Sequence, residues 1–178
     1  MILNVSNADV PWIALTALGS LIAAIATIYG ICKTTKTQKE VASVDILLRY
    51  ENKFESKKMR KHRKGLASTI LNDSKDFVTQ GEHESVLDFF ESIGMLMRKK
   101  YLDPESIWVS FGYYIIRWRK VCQNYINHIR TVHHDNTLYE EFEYLADKIC
   151  KIEEKKRNGM NSISKEELDN FLREELTA

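Results

Sequence analysis

Val10 to Cys32 reads VPWIALTALGSLIAAIATIYGIC, 23 consecutive residues without a charge. At 1.5 Å per residue a helix of that length spans about 35 Å, enough to cross a hydrocarbon core of roughly 30 Å with modest tilt. Trp12 and Tyr29 stand near its two ends, where amphipathic rings favour the headgroup level. A cleaved signal peptide fits worse, because no basic segment precedes the run, the run is too long, and no small-x-small site opens onto a mature-looking start. A buried core helix is the other reading, yet a small domain seldom hides a helix that is apolar on every face. The expectation is one N-terminal transmembrane helix at 10–32, behind a short extracytoplasmic N-terminus at 1–9.

The flanks give the orientation. Every Lys and Arg lies at or beyond Lys33, with Lys36 and Lys39 close behind, while Asp9 is the sole acidic residue before it. The positive side faces the cytosol, so the N-terminus is expected outside and the rest inside, at a cell inner membrane. Three cysteines in an unpatterned set suit a reducing compartment and exclude a disulfide framework. Cys122 and Cys150 read as core or boundary thiols, and Cys32, at the cytosolic end of the span, as a candidate palmitoylation site.

Beyond the span the charge divides again. Residues 33–64 carry 11 basic and 4 acidic side chains, a basic juxtamembrane helical neck, and residues 65–178 carry 15 and 20, an acidic helical cytosolic domain. Within the neck, Lys57, Lys58, Arg60, Lys61, Arg63 and Lys64 crowd six charges into eight residues. Such a cluster attracts anionic lipid by about 1 kcal/mol per charge near a bilayer, and it suits a phosphate ligand equally; a solvated helix face pairing with the acidic body is the plain alternative. Were the helix to run straight on from Cys32, Lys57 would stand about 38 Å beyond the bilayer face, so lipid contact requires the chain to fold back. The overall net charge of +1 gives no reason to expect nucleic acid.

With seven Gly and two Pro in 178 residues, the turns of an all-β fold are missing. Val41, Val44, Ile46, Leu47, Leu48, Tyr50 and Phe54 make an amphipathic helix, and Ser56 is a good N-cap for the next, with Met59, Leu66, Ile70 and Leu71. A break follows from Asn72 to Gly81. Glu84 to Lys100 reads as helix through Val86, Phe89, Phe90, Ile93 and Met97, with Arg98, Lys99 and Lys100 at the end that suits cations. Asp103-Pro104 opens a long helix with an N-cap and a Pro at the first helical position; Ile107, Phe111, Tyr114, Trp118, Cys122, Tyr125 and Ile129 form its stripe, read as the core spine. Thr137 with Glu140 and Ser164 with Glu167 are capping boxes, opening a helix through Leu138, Phe142, Leu145, Ile149 and Ile152, and, after the loop around Gly159, a terminal one with Leu168, Phe171 and Leu172. The fold class expected is all-α: one transmembrane helix and a cytosolic bundle of about five helices.

Catalytic motifs are missing: there is no Walker loop, GxGxxG, HExxH, GxSxG or CxxC. His133-His134-Asp135 is the best cluster, but consecutive helical residues point about 100° apart and cannot converge on one ion. Asp73, Asp76, Glu82 and Glu84 lack the alternate-position ligands of a Ca²⁺ loop. Arg117 and Arg119 flank Trp118 as snorkelling surface residues. No catalytic residue, cofactor or metal site is expected.

Several segments together resemble a known pattern: Phe54-Glu55-Ser56 with Met59-Arg60 and Arg63, the run Val86-Leu87-Asp88-Phe89-Phe90-Glu91-Ser92-Ile93-Gly94, then Tyr101-Leu102-Asp103, Trp108, Phe111-Gly112-Tyr113-Tyr114-Ile115 and Phe142-Glu143-Tyr144-Leu145. Over about residues 50–150 the chain resembles a family of uncharacterised small prokaryotic proteins, often with one N-terminal span and a helical cytosolic domain. The resemblance implies a fold and a topology and no activity. The strongly basic stretch 57–64 departs from the milder pattern of that family.

The function expected is that of a single-pass membrane-anchored interaction module, self-associating and holding or sensing a cytosolic protein or small ligand. Thr16, Ser20, Ala23 and Thr27, with Gly19, give the span a small-residue stripe that lets helices approach closely. The alternatives are a ligand-gated oligomeric effector that permeabilises the membrane, as defence or toxin proteins do, and a membrane-bound hydrolase using His133, His134 and Asp135.

Overall fold

Ser56 turns the chain: with φ −63° and ψ 146° it leaves the helical region, and its hydroxyl accepts the Met59 N–H at 3.2 Å. The computed structural model describes residues 10–72, 84–157 and 163–177, with side chains from Leu18 onward except Lys36. All regular structure among these residues is helical: α1 Val10–Phe54, α2 Lys57–Leu71, α3 Glu84–Arg98, α4 Pro104–Val121, α5 Gln123–His133, α6 Glu140–Lys156 and α7 Lys165–Thr177. The chain divides into two units, residues 1–42 and 43–178.

In the first unit the described part of α1 buries nothing. Leu18, Leu21, Ile22, Ile25, Ile28 and Ile31 are each 55–61% exposed, about what an isolated helix leaves open. Thr27 and Thr34 return their hydroxyls to the carbonyls of Ala23 (2.8 Å) and Gly30 (2.9 Å), so these polar groups are satisfied within the helix.

The second unit is a helical bundle. α6 packs along both α3 and α4, α2 lies on α7 and more lightly on α3, and α7 also meets α4. Phe54, at the end of α1, is its aromatic hub, with ring centroids 5.3 Å from Phe89, 5.5 Å from Phe111 and 4.6 Å from Tyr114. Phe90 stacks on Phe142 at 5.2 Å, and Trp118 meets Phe171 edge-on at 5.2 Å, tying the terminal helix to the spine. Burial of Ile107, Phe111, Trp118, Cys122 and Tyr125 matches the expected stripe. Gly94 is where α3 meets α6, since a Cβ there would overlap the backbone carbonyl of Glu141.

Two local expectations change. The helix expected to run unbroken from Pro104 past Ile129 is α4 and α5, because Cys122 sits at φ −90° and ψ 1°, outside the helical well. Tyr125 and Ile126 stay buried beyond the bend, and among the described residues six helices follow α1 where five were expected. The capping box at Thr137 does not form. Thr137 is instead held by Asp135, whose carboxylate accepts its N–H at 2.8 Å and its hydroxyl at 2.7 Å. The N-terminus of α6 is capped from another helix: Glu91 of α3 accepts the N–H groups of Glu141 (3.2 Å) and Phe142 (2.6 Å). The other caps are as read, with Asp103 accepting the Ser106 N–H at 2.9 Å and Ser164 and Glu167 bonding reciprocally at 2.7 and 3.2 Å.

Candidate functional site

The small-residue stripe of α1 is the first candidate. At 100° per residue, Gly19, Ser20, Ala23 and Thr27 fall within about 100° of one another, and Leu18, Leu21, Ile22, Ile25 and Ile28 lie on the opposite side. Gly19 has open space where a Cβ would stand. All four small residues are exposed, so the helix carries a shallow face beside a bulky one. The side chain of Thr16 lies outside the described residues. Cys32 is exposed at the end of the run.

The basic run of α2 does not stay together. Lys57, Lys58, Arg60, Lys61 and Lys64 are exposed, and Arg60 pairs with Glu55 at 2.8 Å. Arg63 is a correction to the expected anion-contact set: it is 2% exposed, its guanidinium carbon lies 3.9 Å from the centre of the Phe54 ring, and its Nε lies 3.1 Å from Oε2 of Glu175 on α7. A side chain buried in the bundle cannot also meet a lipid or phosphate at the surface. Glu175, 4% exposed, has its carboxyl pKa raised by burial, against the pull of Arg63 and with Glu55 and Glu174 adding to the rise.

His62, beside Arg63, is also buried, at 8% exposed, and neither of its ring nitrogens has a hydrogen-bond partner. It lines a cavity of about 270 Å³ in the second unit, together with Lys53, Ser56, Lys58 and Met59 on its own side and Ser85, Asp88, Phe89 and Ser92 of α3. Burial and the nearby Glu84 raise the Asp88 carboxyl pKa, with Lys53 opposing.

The expected histidine cluster has a backbone role. His134 takes the left-handed conformation, φ 53°, that ends α5; its N–H reaches the Thr131 carbonyl at 3.4 Å and the Asp135 N–H that of Arg130 at 3.1 Å, the paired bonds of a Schellman cap. His133 and His134 are both exposed, and the Asp135 carboxyl pKa is lowered by its two bonds from Thr137. Among the described residues no three His, Cys, Asp or Glu gather as a metal site. Of the acidic loop, Asp73, Asp76 and Glu82 lie outside the described residues, and Glu84 opens α3. Arg117 lies over the Tyr113 ring at 3.7 Å, and Arg119 bonds Gln123 and Glu143, so both have structural partners.

Sequence reasoning missed the buried positions of His62 and Glu175 and the capping role of Glu91. The first two had a legible signal, since Met59, His62, Arg63 and Leu66 share one face of α2 and Leu168, Phe171, Leu172 and Glu175 one face of α7. A family model described as a domain of unknown function, DUF4760, matches residues 14–149, covering the apolar helix and the bundle as far as α6. No curated protein and no solved structure matches the chain.

Proposed function

The chain belongs to the DUF4760 family, and we propose that it is a single-pass membrane-anchored interaction module of a prokaryotic cell that self-associates through α1 and holds or senses a cytosolic partner at the inner membrane. The observation that carries this reading is the apolar length of α1, whose bulky side chains from Leu18 to Ile31 no part of the described chain covers. In water such a surface costs roughly 25 cal/mol per Å² left exposed, and a bilayer removes that cost. Lys33 and Lys39 at one end support the cytosolic placement of the bundle.

Self-association rests on the shape of the helix. Between lipid-embedded helices contact energy comes from close packing, which the face of Gly19, Ser20, Ala23 and Thr27 permits and that of Ile22 and Ile25 hinders. The test is oxidative cross-linking through Cys32 in intact membranes. Cys122 and Cys150 are first replaced by Ala, because a Ser hydroxyl at the fully buried Cys122 would have no partner assigned to it. A dimer band lost on Ser20→Leu with Ala23→Leu is expected. No dimer with either this or a lysine-reactive cross-linker would remove self-association, and release of the chain by alkaline carbonate would remove the span itself.

A further inference from the structure

A neutral imidazole carries one donor and one acceptor, and burying both without partners is costly enough that an occupant is expected beside them. His62 is in that state at the wall of a cavity of about 270 Å³. The walls are two helix faces. Lys58 and His62 stand one turn apart on α2; Ser85, Asp88 and Ser92 follow at steps of three and four on α3, with Phe89 beside them. Lys53, from the last turn of α1, completes the rim, and its Nζ lies 5.7 Å from the centre of the Phe89 ring.

The chemistry of this lining favours an anion at one end. Ser56 and Met59 put the cavity at the first turn of α2, where the Lys57 and Lys58 N–H groups have no intrahelical acceptor and the turn itself carries no acidic side chain. Two ammonium groups exclude a metal cation, and the polar walls disfavour a purely apolar guest. Ser56 and Ser92 already donate their hydroxyls to the carbonyls of Lys53 (2.6 Å) and Asp88 (2.8 Å), leaving Ser85, Lys53, Lys58 and His62 as the side-chain donors. Several donors lining one cavity match a group with three terminal oxygens better than a carboxylate with two. The remaining group, Asp88, accepts, and suits a hydroxyl or amine on the same guest.

We propose that the cavity between α2 and α3 binds a small phosphorylated molecule, its phosphate held by Lys53, Lys58 and His62 at the start of α2 and its hydroxyl or amine held by Asp88. The imidazole presents its N–H to the phosphate by rotation about its broad outer torsion. Lys58 is exposed in the free protein and closes over the guest as a point charge. Lys53, whose charge acts on Asp88, offsets the repulsion between that carboxylate and the bound phosphate. The site lies wholly in the second unit and stands whether or not α1 crosses a membrane. The same phosphate chemistry is offered by a soluble phosphomonoester and by the head of an anionic phospholipid.

The experiment is calorimetric titration of the full chain in a non-ionic detergent with glycerol 3-phosphate, glycerol and inorganic phosphate, and of the chain in nanodiscs with and without phosphatidic acid. Glycerol 3-phosphate binding with no response to glycerol is expected, weakened at least tenfold by Lys58→Gln and by His62→Gln and unchanged by Lys99→Gln, which lies away from the cavity. Asp88→Asn is expected to tighten inorganic phosphate and to abolish the preference for glycerol 3-phosphate over it. If phosphatidic acid nanodiscs already block the titration, and Lys58→Gln relieves the block, the site is a phosphate site filled from lipid. Lys58 is exposed and its replacement leaves the fold intact, so the test does not hang on His62. Failure of every phosphate probe to bind at millimolar concentration, or binding indifferent to Lys58→Gln and Asp88→Asn alike, overturns the proposal.

Discussion

Replacing either partner of the buried pair Arg63–Glu175 should destabilise the bundle strongly, and the two losses should respond differently to pH. Both side chains are less than 5% exposed, Nε and Oε2 are 3.1 Å apart, and the guanidinium also lies against Phe54 and Tyr114. Removing one partner of such a pair costs about 3–5 kcal/mol, because the charge left behind stays buried. Against a total stability of about 5–15 kcal/mol this lowers the melting temperature by roughly 10–20 °C for a unit of this size. Arg63→Met leaves Glu175, whose folded pKa is already raised by burial and loses its one opposing cation. A raised carboxyl pKa means that the folded state holds the proton where the unfolded chain has lost it, so stability rises as pH falls through the folded value. The deficit of Arg63→Met relative to the parent should therefore shrink as pH falls from neutrality toward the ordinary carboxyl value of 4.5. Glu175→Leu leaves a guanidinium that cannot lose its proton, and its deficit should persist over that range. The double variant Arg63→Met with Glu175→Leu should recover most of the loss, a coupling of about 3 kcal/mol. Urea unfolding of the full chain in detergent, followed by the fluorescence of buried Trp118, reads all three. Additive single losses, or a Glu175→Leu cost below about 0.5 kcal/mol, would refute the reasoning.

Gly94→Ala forces a methyl into the Glu141 backbone, where no flexible side chain can yield; a loss of about 1–3 kcal/mol in the same unfolding assay is expected, and an unchanged midpoint would mean that α3 and α6 are not in this contact. Glu91→Ala strips two N–H bonds from the start of α6; a loss of about 1.5–3 kcal/mol should accompany faster amide exchange at Phe142, and unaltered exchange would argue for a cap from elsewhere. His134→Gly should stabilise the bundle by about 0.5–1 kcal/mol, since glycine takes the left-handed conformation at no steric cost; a marked destabilisation would show that the imidazole itself does something there. Burial pushes the Cys122 thiol pKa far up and the half-buried Cys150 thiol more mildly, so with the exposed Cys32 replaced by Ser, maleimide should label Cys150 before Cys122 and reach Cys122 only on unfolding; equal rates in the native protein would take Cys122 out of the core.

The features legible in the sequence were those written in one helix at a time. The apolar run from Val10, the Asp103-Pro104 start, the Ser164 box and the Ile107 to Tyr125 stripe each depend on spacing within a few turns, and each appears where its spacing puts it. The failures depend on a second helix. Thr137 and Glu140 have capping-box spacing, but Asp135 holds Thr137 and Glu91, about fifty residues earlier, reaches the same helix end. Cys122 sits in an unbroken helical pattern, and the chain bends there with Tyr125 and Ile126 still against the core, which spacing along one helix does not announce. Of the candidate sites, the small-residue stripe was readable because one helix displays it whole. The cavity was not, since its lining is shared among Lys53 of α1, the Ser56 cap, three residues of α2 and four of α3, and nothing in any one element announces the others.

The basic run of α2 illustrates how a charge cluster can be three things at once. Read as a sum, Lys57 to Lys64 is an electrostatic patch, and a patch predicts lipid. Helical geometry separates it, because adjacent residues diverge by about 100°. Arg63 turns inward to Phe54 and Glu175 and so locks α7, which lies beyond the residues that the family model matches, onto the bundle. His62, its neighbour, faces the cavity with Lys58 one turn earlier. Lys57 and Lys64 are on the surface and keep the role that the composition suggested, while Arg60, also exposed, pairs with Glu55. Neutralising the whole run would therefore mix a folding defect with two binding defects. Lys57→Gln with Lys64→Gln should reduce co-flotation of the full chain, held in neutral-lipid nanodiscs, with added anionic liposomes without touching stability, whereas Arg63→Gln should lower stability whether or not any lipid is present.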